Sequence, residues 1–273
     1  MRWNLFAVAV LGLACLNSAA RADDDVVVVE QNCVLTPPAE AGAKPVNLHQ
    51  KVYLHNDFMC IDEYAGAKAG DSAPLKSTLI DFKNKQIVGL DHELKKKSTE
   101  SFETRNKALD ELKAQITGEI AKQPAGPQRE LAARTYRAMF DENCAFQVFK
   151  DSAPNKTLLG VSCRVVQAVD AKAPEYMPLE MSMHPSIESP CDNTEAFYLL
   201  GLTGKMMSRY MASHHKTFKS VPLEIHLDLP TGGKLEVQAI SAEKLSRKEV
   251  DAATSRGSLG SPFTIPAYEE SKH

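Results

Sequence analysis

Alternation of apolar and polar residues is cleanest from Pro222 to Val237, PLEIHLDLPTGGKLEV. Leu223, Ile225, Leu227 and Leu229 alternate with Glu224, His226 and Asp228, the period of two that gives an extended strand one apolar and one wet face. Thr231-Gly232-Gly233 then supplies residues that tolerate positive φ, and Leu235, Val237 and Ala239 resume the alternation. This predicts a β-hairpin with one buried face, with Phe263 to Tyr268 as its closing neighbour.

The same period marks other strands. Val26 to Leu35 is β-prone and stops at Pro37-Pro38, residues 39–46 read as a loop, and Val52 to Tyr64 reads as one extended run. Thr78, Ile80 and Phe82 alternate with Leu79 and Asp81, Lys83-Asn84-Lys85 turns, and Gln86 to Leu90 returns. A turn at Asp91-His92-Glu93 leads to a lysine-rich edge, Lys95 to Lys97, of the kind that discourages strand-to-strand aggregation. Strands are also expected at Cys144 to Phe149, Leu158 to Val169 and Pro178 to Met183, with a turn at Ser152 to Asn155.

From Ser101 the period lengthens. Leu109, Leu112, Ile116 and Ile120 recur every three to four residues, an amphipathic helix ending near Pro124, and a second helix is expected over Gln128 to Phe140. Asp192 with Glu195 resembles a capping box that opens another helix, with Phe197, Leu200, Gly204, Met207 and Met211 on one side and His214-His215 at its end. Residues 241–260 read as a helical turn and loop. Hairpins with helices inserted between them predict an α+β fold built on an antiparallel sheet.

The N-terminus changes the domain picture. Arg2, an apolar run from Leu5 to Leu16 and Ala20-Arg21-Ala22 have the form of a signal peptide cut after Ala22. That run is short of the ~20 residues a membrane span needs. A competing cut before Cys15 would make Cys15 a lipidated residue, but Gly12 stands where such a signal prefers Leu. Residues 1–22 are therefore assigned to the signal and 23–273 to one domain with a helical insert near 101–140, in the periplasm or secreted.

The signal carries two of the 32 basic residues and none of the 35 acidic ones, so the mature chain has 30 basic against 35 acidic. A net charge near −5 argues against nucleic acid as an electrostatic partner. Five cysteines remain: Cys33, Cys60, Cys144, Cys163 and Cys191. In an oxidising compartment most should pair. Cys144 with Cys163 is the favoured bridge, Cys33 with Cys60 the second, and Cys191 the residue left over.

Few residues point to chemistry. Met177, Met181, Met183 and His184 form one Met/His group, and Met206, Met207, Met211, His214 and His215 a second. Such soft ligands suit copper(I), although buried methionines on a strand or helix face give the same spacing. Glu180, Glu224, His226 and Asp228 are placed to come together, but equally fit the wet face of a sheet. No nucleophile elbow, P-loop, dinucleotide fingerprint or HExxH occurs, and no cofactor is called for.

Several phrases resemble the periplasmic LolA-like superfamily. They are Ser77-Thr78-Leu79-Ile80-Asp81 followed by Gln86-Ile87-Val88-Gly89-Leu90-Asp91, then Leu159-Gly160-Val161-Ser162-Cys163-Arg164, Val221-Pro222-Leu223-Glu224-Ile225 and Phe263-Thr264-Ile265-Pro266-Ala267-Tyr268. The Gly common between the closing Ala and Tyr is absent, and the 101–140 insert is long for that group. The resemblance implies an incomplete β-barrel whose open face is covered by helices and whose concave side holds a lipid or acyl chain. The expected wall is then Ile80, Phe82, Ile87, Leu223, Ile225, Leu227, Leu235 and Val237, with Phe197, Leu200 and Met207 on the lid. The leading expectation is a non-enzymatic binder of an apolar ligand, with an envelope protein as a further partner. The alternatives are an interaction module with a filled core and a copper protein using Met181, Met183 and His184.

Overall fold

The computed structural model describes residues 25–39, 42–64, 73–140, 147–170, 179–191, 193–201, 220–229, 232–253 and 265–271. Twelve strands form one sheet: β1 (Asp25–Thr36), β2 (Val46–His55), β3 (Phe58–Tyr64), β4 (Lys76–Asp81), β5 (Gln86–Asp91), β6 (Lys96–Ser101), β7 (Gln147–Leu158), β8 (Val161–Asp170), β9 (Leu179–Glu188), β10 (Ser220–Asp228), β11 (Lys234–Ser246) and β12 (Glu269–Glu270). Their spatial order is β12-β6-β5-β4-β3-β2-β1-β11-β10-β9-β8-β7. Every pairing is antiparallel except β12 on β6, and the two ends of the order do not meet, so the barrel is incomplete. The helices are α1 (Phe102–Lys122), α2 (Pro127–Phe140), α3 (Asn193–Leu199) and α4 (Arg247–Ala253). No described helix is long and apolar enough to cross a membrane.

The predicted hairpin is present. Leu229 N–H donates to Gly233 O at 2.8 Å and Gly232 N–H to Leu229 O at 2.9 Å, with Gly232 at φ +89°, which favours glycine. Its neighbours correct the sequence reading. β11 lies against β1, not against the C-terminal segment, and β10–β11 sits in the middle of the sheet. Residues 265–271 end on the far edge, on β6; positions 263 and 264 lie outside the described residues.

Three further boundaries moved, each for a local reason. The run 52–64 is broken by a tight turn at Asn56-Asp57, so β2 and β3 fold back on each other with His55 opposite Phe58. The β7–β8 turn is at Leu159-Gly160, both at positive φ (50° and 77°) as a type I′ turn requires, while Ser152 to Lys156 is a strand irregularity. β11 continues to Ser246 past a bulge, Ile240 being an extra residue opposite the Glu30/Gln31 step of β1. That bulge leaves Ile240 42% exposed and reverses which face the following residues take, hiding the strand from a period-two reading.

The helical insert follows its periodicity. Ser101 caps α1, its hydroxyl accepting from Thr104 N–H at 3.1 Å, and Phe102, Leu109 and Ile120 are buried, whereas Leu112 is exposed. The helix predicted from Asp192 is described only over α3. Gly201, at φ +76°, closes it with its N–H donating to Tyr198 O. Gly204, Met206, Met207, Met211, His214 and His215 lie outside the described residues, as do Met177, Asp192 and residues 1–24.

Candidate functional site

One face of the sheet is covered by α1 and α3, and the strand registers show how its side chains are arranged. On one part of this inner face, Ile87, Ile80, Met59, Leu54 and Val27 form a cross-strand row from β5 to β1. Beside it runs Thr78, Ile61, Val52, Val29 and Ala242. Thr78 apart, these residues join Phe102 and Leu109 of α1 and Ala196, Tyr198 and Leu199 of α3 in one cluster. The cluster also takes Cys163 of β8, seven positions from β4 in the strand order, so the sheet curls around the two helices.

On a second part of the inner face, Val166, Met181, Ile225, Val237, Cys33 and Leu48 form a row from β8 to β2. Leu179, Leu227, Leu235 and Leu35 run parallel to it. Among the described residues, Leu48, Leu200 and Leu229 are the partly buried side chains packed against this second cluster. Its nine core members are nevertheless 0–3% exposed.

A polar row separates the two regions: Lys76, Glu63, Gln50 and Gln31, opposite one another on β4, β3, β2 and β1. Gln31 Nε2 donates to Gln50 Oε1 at 3.0 Å, and the Cys33 thiol donates to the same oxygen at 2.9 Å. Burial pushes the Glu63 carboxyl above its usual range, against the pull of Lys76 and Gln50. Burial likewise drives the Cys33 thiol far up, which makes it a poor nucleophile.

The expected wall residues divide between the regions. Ile80, Ile87 and Phe82 belong with the helix-packed cluster, Phe82 meeting Phe102 edge to face at 6.3 Å, and Leu223 joins them. Ile225, Leu227, Leu235 and Val237 belong to the second cluster, and Leu200 packs against both. Nothing is described of the Phe197 side chain, and Met207 is outside the described residues. A cavity of about 220 Å³ lies at the rim, lined by Asp25, Val27, Ser186, Ile187, Glu188, Pro190 and Lys244. A larger one of about 520 Å³ lies between α1 and α2 and is lined by none of the expected wall residues.

The lid is held by a single stripe of α1. Arg105 Nε donates to Leu199 O at 2.8 Å. Leu109 packs so close to Gly201 that a Cβ there would lie 3.0 Å from it, and the Lys113 ammonium sits 5.2 Å from the centre of the Tyr198 ring. These three residues are spaced i, i+4, i+8, so one helix face makes all three contacts. The sequence signalled Leu109 but not Arg105 or Lys113, because a cation bound to a carbonyl or a ring looks like any exposed helix charge.

On the outer face, Glu180, Glu224 and His226 do come together, each offering a ligand atom within 4.8 Å of the others. Lys156 of β7 pairs its ammonium with Glu224. His226 Nε2 is 3.4 Å from Glu224 and its Nδ1 3.5 Å from Glu236, while Gln167 donates to Glu180 at 2.6 Å. Although burial opposes it, the Lys156 and His226 contacts hold the Glu224 carboxyl below its usual range. Asp228 does not join the group; burial raises its carboxyl against the pull of Lys234. This arrangement is a network of hydrogen bonds around the Lys156–Glu224 ion pair that links β7, β9, β10 and β11.

Two other sequence readings are altered. Met181 and Met183 point into the apolar cluster, while strand alternation turns His184 to the opposite face, where its Nδ1 accepts from Ser186 and Ile187 N–H at 3.1 and 2.8 Å. The copper set Met181, Met183 and His184 is thus divided by the sheet. The expected Cys33–Cys60 bridge does not form, and the Cys144–Cys163 pairing rests on a residue outside the described ones. Cys33 faces inward with the Gln31 row and Cys60 outward with Tyr53 and Leu79, and Cys163 carries a buried thiol. Cys144 lies outside the described residues.

No protein-family model matches the chain, and no curated protein sequence does. Similar solved structures include a putative outer membrane lipoprotein-sorting protein domain from Vibrio parahaemolyticus, with 10% identity and a TM-score of 0.31 over 86% of this chain and 93% of that one. Another is a LolA superfamily protein from Nitrosomonas europaea, with 7% identity and a TM-score of 0.29 over 82% and 87%. PNGF-II gives 11% identity and a TM-score of 0.35 over 91% of this chain, but the match spans only 31% of PNGF-II.

Proposed function

We propose that this is a non-enzymatic, periplasmic binding protein that holds an apolar, lipid-like ligand on the second region of its inner face. The observation that carries the reading is the register itself. Val166, Met181, Ile225, Val237, Cys33 and Leu48 make a continuous apolar row across six strands, with a second row beside it. An acyl chain laid there gains about 0.8 kcal/mol per buried methylene. Because the wall residues are buried, entry requires their cover to move. Among the described residues Leu200 packs against both regions, and the Arg105–Leu199 and Leu109–Gly201 contacts on either side of it tie the movement of that cover to the α1–α3 pair.

Filling the wall tests the reading. Val237→Phe should reduce uptake of a fluorescent fatty acid at least about tenfold, a loss of about 1.4 kcal/mol in binding. A thermal melt serves as the control for folding. Unchanged uptake by a folded Val237→Phe protein would place the ligand elsewhere. The competing reading, an interaction module with a filled core, draws on the near-zero exposure of the same residues. It predicts no uptake by the wild type and a destabilisation of about 1–3 kcal/mol for Val237→Phe.

A further inference from the structure

The sheet ends at β6, and the chain's own C-terminal segment sits on that edge. We propose that the β6 edge is a strand-addition site for an acidic extended segment of a partner protein, with residues 268–271 as its resident placeholder. The proposal is independent of any ligand on the inner face.

The segment docks as an added strand does. Glu269 N–H donates to Lys95 O at 3.2 Å and Ser271 N–H to Lys97 O at 2.7 Å, a parallel ladder on an otherwise antiparallel sheet. Side chains supply the specificity. Glu270 pairs with Lys97 at 3.2 Å and accepts from Thr99 Oγ1 at 3.3 Å. Tyr268 seats its hydroxyl 3.0 Å from His92 Nδ1, with the rings edge to face at 5.7 Å. The edge therefore reads an aromatic residue and, two positions on, an acidic one, and Lys95 and Lys96 beside Lys97 add to its positive charge. Backbone bonds for affinity and alternate side chains for specificity are the general logic of strand addition.

The resident ladder is short. Among the described residues it covers only Lys96 and Lys97 of the six residues of β6, and Glu270 is 56% exposed, so its ion pair contributes little. A longer acidic strand that continues along Ser98 to Ser101 would make more backbone bonds than the tail does.

The test uses the full chain and a labelled peptide with the sequence of residues 265–271. In a Tyr268→Ala/Glu270→Lys protein the internal competitor is weakened, and fluorescence anisotropy should show the peptide binding at least about tenfold tighter than to the wild type. Adding His92→Ala, which removes the seat of the peptide's Tyr268, should remove that gain, and a scrambled peptide should not bind. The single variant Glu270→Lys repeats the test if the double variant melts early. Absence of saturable binding up to about 1 mM, the effective concentration a short tether provides, would overturn the proposal. So would equal binding of the scrambled peptide, or a tail-exchanged dimer by light scattering, which would make the edge a contact between copies.

Discussion

Glu224 shows how one residue is committed by its surroundings. It is buried among Lys156, Ser182 and His226, and the lysine holds its carboxyl below the usual range although burial works the other way. A depressed carboxyl stabilises the fold above its unfolded-state pKa, and the contribution is lost as pH falls through the lowered folded value. Lys156→Met should therefore lower the melting temperature at pH 7, at a cost of about 1–3 kcal/mol for a buried acceptor without its cation. The gap from wild type should narrow in acid, once the carboxyl is protonated in both proteins; a gap that does not change between pH 7 and pH 3 would contradict this role. Leu109 is the corresponding apolar case. It is 4% exposed and wedged against Gly201, so Leu109→Ala should cost about 2–5 kcal/mol in a urea titration.

At the scale of elements, the lid on the inner face is the α1–α3 pair, tied by Arg105, Leu109 and Lys113. Removing the Arg105 bond costs about 1 kcal/mol and leaves the apolar contacts in place. Arg105→Ala should therefore speed amide exchange in α1 and α3 and quicken fatty-acid uptake, read by hydrogen exchange and stopped-flow fluorescence. Faster exchange without faster uptake would separate the lid from entry. Elements with a sustained period were legible in the sequence: the β10–β11 and β4–β5 hairpins, β1, α1 and α2. Those that failed to show were interrupted by backbone geometry. The Asn56-Asp57 turn carries no glycine, the Leu159-Gly160 turn uses a leucine at positive φ, and the Ile240 bulge inverts the alternation. Pairing between distant strands was not legible either. Nothing local in Phe263 to Tyr268 distinguishes a neighbour of β11 from a tail that leads to β6.

For the whole molecule, the decisive feature is that a single open sheet presents two apolar regions divided by the Lys76–Glu63–Gln50–Gln31 row. The sequence identified the apolar residues of the wall but not this division, because the dividing row arises only when four strands are placed in register. One region is packed by α1 and α3, and the other supplies the surface assigned to the ligand. Native mass spectrometry of the gently purified full-length protein tests that assignment most directly. The account predicts a bound mass in the lipid range that a medium-chain fatty acid displaces and that Val237→Phe lacks. A clean ligand-free mass, with no adduct after incubation with fatty acid, would contradict it and leave the inner face a packed core.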